Sequence, residues 1–206
     1  MKSIFFFLAC LLPFISYSQK VNLKKQENSG LFSVGMRSTV SAFGHDERTG
    51  IGVGGQFRLQ FHPKVNTEWF ADYIKSPAEA NTSRTDAHIG WSVMYYPLRN
   101  SGYDQLLKPY IVIGHCFDYS KINVFNNIPA SDSRWSAAVQ GGVGCHLNLT
   151  TNFDITLLSQ YMVHLGDELA VDIEPQNGEI AHHQHTTPEG HVLFTLGVNY
   201  KFGKLW

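Results

Sequence analysis

The sequence predicts an all-β chain, an eight-stranded antiparallel transmembrane β-barrel. Three observations predict it. Between Leu31 and Phe202, eight segments of about ten residues alternate apolar and polar positions, the signature of a closed sheet with one face in lipid and one in a polar lumen. An export-type leader precedes them. Connections on one side of the implied sheet are tight, and most on the other side are long.

The leader comes first. Lys2 supplies a positive n-region, and Ile4 to Ile15 forms an apolar stretch rich in Phe and Leu. Ser16-Tyr17-Ser18 places small residues where a signal peptidase reads, so cleavage is expected before Gln19, with residues 1–18 as signal peptide. The apolar run is too short to span a bilayer, which takes about 20 residues as a helix. Leu8-Ala9-Cys10 partly resembles a lipobox, but apolar sequence continues past Cys10, which argues against lipidation. Residues 19–30 are expected to form a short periplasmic segment, and residues 31–206 the barrel. Removing Lys2 leaves 15 basic residues against 17 acidic ones. No basic stripe stands out, so nucleic acid is excluded as a partner.

Each strand shows period-two alternation. The first sets Phe32, Val34, Met36, Val40 and Ala42 against Ser33, Gly35, Arg37, Thr39 and Ser41. The second sets Ile51, Val53, Phe57, Leu59 and Phe61 against Gly52, Gly54, Gln56, Arg58, Gln60 and His62. In the third, Trp69, Ala71 and Tyr73 oppose Glu68 and Asp72; in the fourth, Ile89, Trp91, Val93 and Tyr95 oppose His88, Ser92 and Met94. The fifth, Pro109 to Tyr119, is ambiguous, because Ile111 and Ile113 compete with Tyr110 and Val112. The sixth sets Trp135, Ala137, Val139, Val143, Cys145 and Leu147 against Ser136, Gln140, Gly142, Gly144, His146 and Asn148. The seventh opposes Phe153, Ile155, Leu157, Tyr161 and Val163 to Asp154, Thr156, Gln160 and His164. The eighth opposes Val192, Phe194, Leu196, Val198, Tyr200 and Phe202 to His191, Thr195, Asn199 and Lys201.

The connections orient the sheet. His62-Pro63-Lys64 and Thr150-Thr151-Asn152 read as tight periplasmic turns, whereas 76–84, 121–134 and 166–190 read as outer loops. Residues 99–108 are long for an inner connection, and 45–50 short for an outer one. Both termini are then periplasmic, and the protein is expected in the cell outer membrane, in contact with its lipid. Aromatics gather near both strand ends, as interfacial girdles require. A soluble sandwich or lipocalin-like barrel also alternates. Sparse strand charges, Gly-rich polar faces and a chain ending just after an aromatic strand argue for the membrane barrel.

Three stretches carry a family resemblance: Leu196-Gly197-Val198-Asn199-Tyr200-Lys201-Phe202, Gly141-Gly142-Val143-Gly144 and Lys108-Pro109-Tyr110. On these, about residues 30–206 resemble the bacterial outer-membrane protein β-barrel domain family, the small eight-stranded porin-like barrels. The final strand looks like the signal read by the barrel-assembly machinery, which the resemblance implies as a partner during biogenesis. The family is functionally mixed, so the resemblance implies fold and compartment rather than an activity.

Two constellations could carry chemistry. Centring the first hairpin on 45–50 sets Arg37 across from Arg58, with Glu68, Asp72 and His88 next along the wall. Facing guanidiniums need carboxylates, and an eight-stranded interior is only wide enough for side chains, so these five residues are expected to form a salt-bridged plug. The stretch 166–190 holds six acidic residues and no Lys or Arg, with His182, His183 and His185 within it. Imidazole and carboxylate suit Zn, Cu or Ni, so weak divalent metal binding in this loop is the one cofactor expectation. An enzyme reading, of the lipid A deacylase or acyltransferase type, finds its best local pair in Ser159 and His164, whose opposite parity points them to opposite faces. The expected role is structural or surface interaction, through an extracellular or envelope protein partner. A lipid-modifying enzyme and a narrow pore are the alternatives. Cys116 and Cys145 lie on neighbouring strands. With Cys116 opposite about Ser136, Cys145 falls too far along the strand for a disulfide.

Overall fold

The computed structural model describes residues 29–43, 49–77, 82–98, 105–124, 130–165, 171–173, 180–182 and 190–205. The leader and the histidines at 183 and 185 lie outside these residues. The strands are β1 (Leu31–Phe43), β2 (Thr49–His62), β3 (Val65–Pro77), β4 (Thr82–Tyr95), β5 (Leu107–Val124), β6 (Ala130–Asn148), β7 (Phe153–Leu165), β8 (Val171–Ile173), β9 (Ile180–His182) and β10 (Gly190–Lys204). Eight of them close in the order β1-β10-β7-β6-β5-β4-β3-β2, every pair antiparallel. The short β8–β9 hairpin belongs to the connection between β7 and β10. No described helix is long and apolar enough to cross a membrane. Closure lets strands do it, since every ladder group finds a partner and no edge faces hydrocarbon.

The parity read from the sequence is the parity observed except at His62, which is exposed where the β2–β3 register shifts. Ser33, Arg37, Thr39, Gln56, Arg58, Glu68, Asp72, His88, Gln140, His146, Asp154, Gln160, Asn199 and Lys201 are all buried inside the barrel. Met36, Ile51, Val53, Ile113, Trp135, Val143, Leu157 and Phe202 are exposed on its outer wall. An exposed apolar wall around a buried polar interior is the inverse of a soluble barrel. Rim aromatics follow: Tyr73, Trp135 and Tyr161 are exposed near one end, and Phe61, Tyr95 and Phe153 near the other.

The ambiguous β5 resolves with Tyr110, Val112, Cys116, Asp118 and Ser120 inside and Ile111, Ile113 and Phe117 outside. The ambiguity had a physical source, because the lumen is itself partly apolar. Phe70, Ile74, Cys116, Ala138, Met162 and Leu193 pack as one internal layer, and Met94, Tyr96, Tyr110, Val112 and Leu158 as another.

The β2–β3 and β6–β7 turns are held by side chains adjacent to them. The Lys64 amide donates to His62 Nδ1 at 3.2 Å, and the Phe153 amide donates to Thr150 Oγ1 at 2.9 Å. These local bonds fix the tight reversals and hence the register of the strands they join.

Register also settles the thiols. Cys116 pairs with Ala138, two residues from the expected partner, while Cys145 pairs with Pro109. Seven residues of strand separate them, about 24 Å at ~3.4 Å per residue, far beyond disulfide reach. Both cysteines are free. Alkylation of the unfolded, unreduced protein followed by mass spectrometry should label both thiols. A Cys116–Cys145 crosslink would contradict the β5–β6 register.

Candidate functional site

The polar interior forms three ionic groups stacked along the barrel. The first centres on Arg37 of β1. Its guanidinium contacts Glu68 Oε1 and Asp72 Oδ1 of β3, each at 3.1 Å. It also donates to Thr195 Oγ1 at 3.4 Å and lies 4.7 Å from the Phe70 ring centroid. β2 lies between β1 and β3, and Gly54 makes the approach possible. A Cβ there would sit 2.1 Å from Asp72 Oδ1, so only glycine leaves the carboxylate its place beside Arg37.

The second group lies toward the end where β1 begins and β10 finishes, around Asp154 of β7. Arg58 of β2 donates to Asp154 Oδ1 at 2.7 Å, and Lys201 of β10 approaches Oδ2 at 3.3 Å. Asn199 Nδ2 adds a third donor at 3.0 Å. β2 and β7 stand nearly opposite in the closed order, so the Arg58–Asp154 contact crosses the lumen. His146 packs beside this pair. It lies 3.0 Å from the Tyr96 hydroxyl and 2.9 Å from Thr156 Oγ1, and it stacks on Tyr110 with centroids 4.5 Å apart. Lys108 places its ammonium 3.9 Å from the Tyr96 ring centroid, a cation–π contact.

The third group lies toward the opposite end. Asp118 of β5 sits between His88 Nε2 at 3.1 Å and His164 Nδ1 at 3.2 Å. His191 packs its ring 4.9 Å from that of His164 and 6.1 Å from that of His88. Above it Arg84 pairs with Asp86 at 2.9 Å, and Ser120 donates to Asp86 at 2.7 Å. Between the ionic groups, Gln160 donates to Gln140 at 2.9 Å and Gln140 to Ser92 at 3.0 Å.

All five residues expected in the plug point inward; Arg58 opposes Glu68 and Asp72 opposes His88 in the ladder, while their direct ion pairs fall into separate sets. Arg37, Glu68 and Asp72 come together. Arg58 goes instead to Asp154, and His88 to Asp118. Arg37 does not face Arg58. In the ladder Arg37 opposes Gly54 and Arg58 opposes Ser33, a four-residue difference from the expected pairing. The axis of the first hairpin lies earlier in the chain than a turn centred on 45–50 implies. Each guanidinium therefore keeps its own carboxylate, which removes the repulsion the expected register would have created.

Two chemical readings meet this geometry. Ser136, His164 and Asp118 are adjacent, but both oxygens approach the same ring atom: Ser136 Oγ lies 3.5 Å from His164 Nδ1, and Asp118 Oδ2 lies 3.2 Å from it. A relay needs serine and carboxylate on opposite ring nitrogens, so this is a buried polar contact and not a triad. Ser159 lies on the outward parity of β7 and His164 on the lumen side, so the pair considered from sequence stays divided by the wall. Among the described residues no group of three or more His, Cys, Asp or Glu has the arrangement to hold a metal ion. His182 ends β9, and His183 and His185 lie outside the described residues.

No family model and no curated protein sequence matches this chain. Solved structures do. Neisserial surface protein A aligns with a TM-score of 0.59 at 14% identity, over 84% of this chain and 98% of that one. A major outer membrane protein of Thermus thermophilus aligns with a TM-score of 0.57 at 12% identity, over 83% and 99%. The outer membrane protein OprG of Pseudomonas aeruginosa gives 0.55 at 16% identity, over 85% and 97%. The fold is that of the small outer-membrane β-barrels. Identities this low carry the architecture and not the task, because barrels share alternation and closure while differing in loops and lumen.

The ionic groups make a graded prediction. Asp154→Ala leaves Arg58 and Lys201 without their shared carboxylate and should cost about 3–5 kcal/mol. Glu68→Ala should cost less, because Arg37 keeps Asp72. Urea-induced unfolding in detergent or lipid vesicles measures both, and equal losses would contradict the partition into separate groups.

Proposed function

We propose that this protein is a plugged outer-membrane barrel that serves as an envelope scaffold, presenting its outer connections to an extracellular or envelope protein partner. The reading places both termini in the periplasm, outer-membrane lipid around the wall and the barrel-assembly machinery at the final strand during biogenesis. It assigns no catalysis to the barrel. Any metal held by His182, His183 and His185 would be a weak divalent ion at the surface. The observation that carries the proposal is the Arg58–Asp154 contact across the lumen. Layers of glutamine, aromatic and aliphatic side chains fill the interior above and below it. An eight-stranded interior is only as wide as its side chains, and here those side chains are bonded to one another rather than lining a channel.

Planar-bilayer recordings test it. The purified protein should insert without stepwise conductance, and Arg58→Ala combined with Asp154→Ala should introduce brief openings. Sustained single-channel conductance in the unmodified protein would replace the scaffold with a narrow pore.

A further inference from the structure

The outer wall of the barrel carries a trench. Antiparallel register lines up the outward side chains in rows that cross the strands. Phe194, Ser159, Val143 and Ile111 form one row across β10, β7, β6 and β5. Leu196, Leu157, Cys145 and Pro109 form the next. Between the rows lie Thr195, Leu158, Gly144 and Tyr110. Thr195, Leu158 and Tyr110 are buried on the lumen side and Gly144 has no side chain, so the wall there is bare backbone. The two rows and this floor enclose about 800 Å³, with Ser38 and Val40 of β1 at one end and Pro97, just past β4, at the other.

The lining is apolar, and most of its polar groups are engaged elsewhere. Ser38 donates to the Gly52 carbonyl at 3.1 Å, and the Cys145 thiol to the His146 carbonyl at 3.6 Å. Thr195 Oγ1 accepts from Arg37 in the lumen. Ser159 and Cys145 are small, so the banks do not close over the floor. The dimensions select an occupant. Two residues of strand separate the rows, about 6.8 Å at ~3.4 Å per residue, the width of a single hydrocarbon chain. From β1 to β5 there are four strand spacings, roughly 19 Å at ~4.8 Å each, the reach of a long acyl chain. The trench also curves with the wall. A flexible chain follows that curve, whereas a straight helix or the convex wall of a second barrel meets only the banks. The row of Ile111 continues to Tyr95 of β4, an exposed rim aromatic, so the trench opens at headgroup depth.

We propose that this trench is a binding site for one acyl chain of a membrane phospholipid. The chain enters beside Tyr95 and Pro97, at the end where β1 begins. It crosses β5, β6, β7 and β10 toward Val40 of β1. Barrel strands tilt by roughly 35–45°, and the trench runs across them, so the bound chain lies oblique to the bulk chains around it. It meets protein on three sides rather than one, which multiplies its dispersion contacts and distinguishes it from lipid that merely surrounds the barrel. The inference concerns the wall and stands whether or not the lumen conducts. It rests on lipid surrounding that wall, and a barrel soluble without detergent would overturn that reading separately.

Photocrosslinking of the folded full-length protein in lipid nanodiscs tests the proposal. The probe is a phospholipid with a diazirine at the end of one acyl chain. Peptide mapping should concentrate adducts on Val40, Phe194 and Ser159 rather than spread them around the wall. Ser159→Phe fills the trench and should lose these adducts, as should Cys145→Phe if the first variant does not fold. Val53→Phe, outward on β2 and outside the trench, should keep them. Native mass spectrometry should find one phospholipid retained on the unmodified and Val53→Phe barrels and none on a filled one. Adducts spread evenly around the wall, or a retained lipid that filling does not displace, would overturn the proposal. So would a barrel dimer that Ser159→Phe dissociates, since a second copy would then cover the trench.

Discussion

Arg58 reaches across the interior to Asp154, and much of the molecule is arranged around that contact. Strands β2 and β7 never touch in the ladder, so the ion pair is a strut between opposite walls. It stays in place because neighbouring side chains hold both partners. Asn199 and Lys201 occupy the rest of the carboxylate, and His146 wedges between the guanidinium and the aromatic pair Tyr96 and Tyr110. In a barrel the outer wall gains little from packing against itself, since lipid is as apolar as the side chains it meets. The interior is where specificity must be set. Three separate ionic groups, each with its own acid, set it better than a single cluster, because each fixes one height of the barrel.

The alternation of polar and apolar layers inside the lumen follows from the same constraint. Charged residues cannot fill the whole bore without leaving some unpaired, so Phe70, Ile74, Met162 and Leu193 pack as an apolar layer beside the ionic groups, with Phe70 and Ile74 on either side of Asp72 along β3.

Much of this architecture was legible in the chain. A period of two survives almost any sequence noise, because one misplaced parity would put Arg37 or Asp154 in lipid. Even strands as polar as β6 could be oriented from Val139 and Val143 against Gln140 and His146. β5 was illegible because Tyr110 and Val112 face an apolar part of the lumen, where the usual rule that apolar means outward fails. The partners were harder. Arg58 and Asp154 both read as inward-facing, but nothing local connects residues 96 positions apart. Their meeting depends on barrel closure and on a hairpin register that shifted by four residues. His164 and His191 likewise read as inward-facing, yet their junction with His88 at Asp118 needed the strand order.

A double-mutant cycle on Arg58 and Asp154 tests the central claim most directly, read by unfolding free energy in lipid vesicles. The strut predicts that Arg58→Met and Asp154→Leu each destabilise strongly. It predicts that the double variant loses clearly less than the two losses added, with a coupling above about 1.5 kcal/mol. Additive losses would mean that the two walls are held independently and that the contact across the lumen is incidental to the fold.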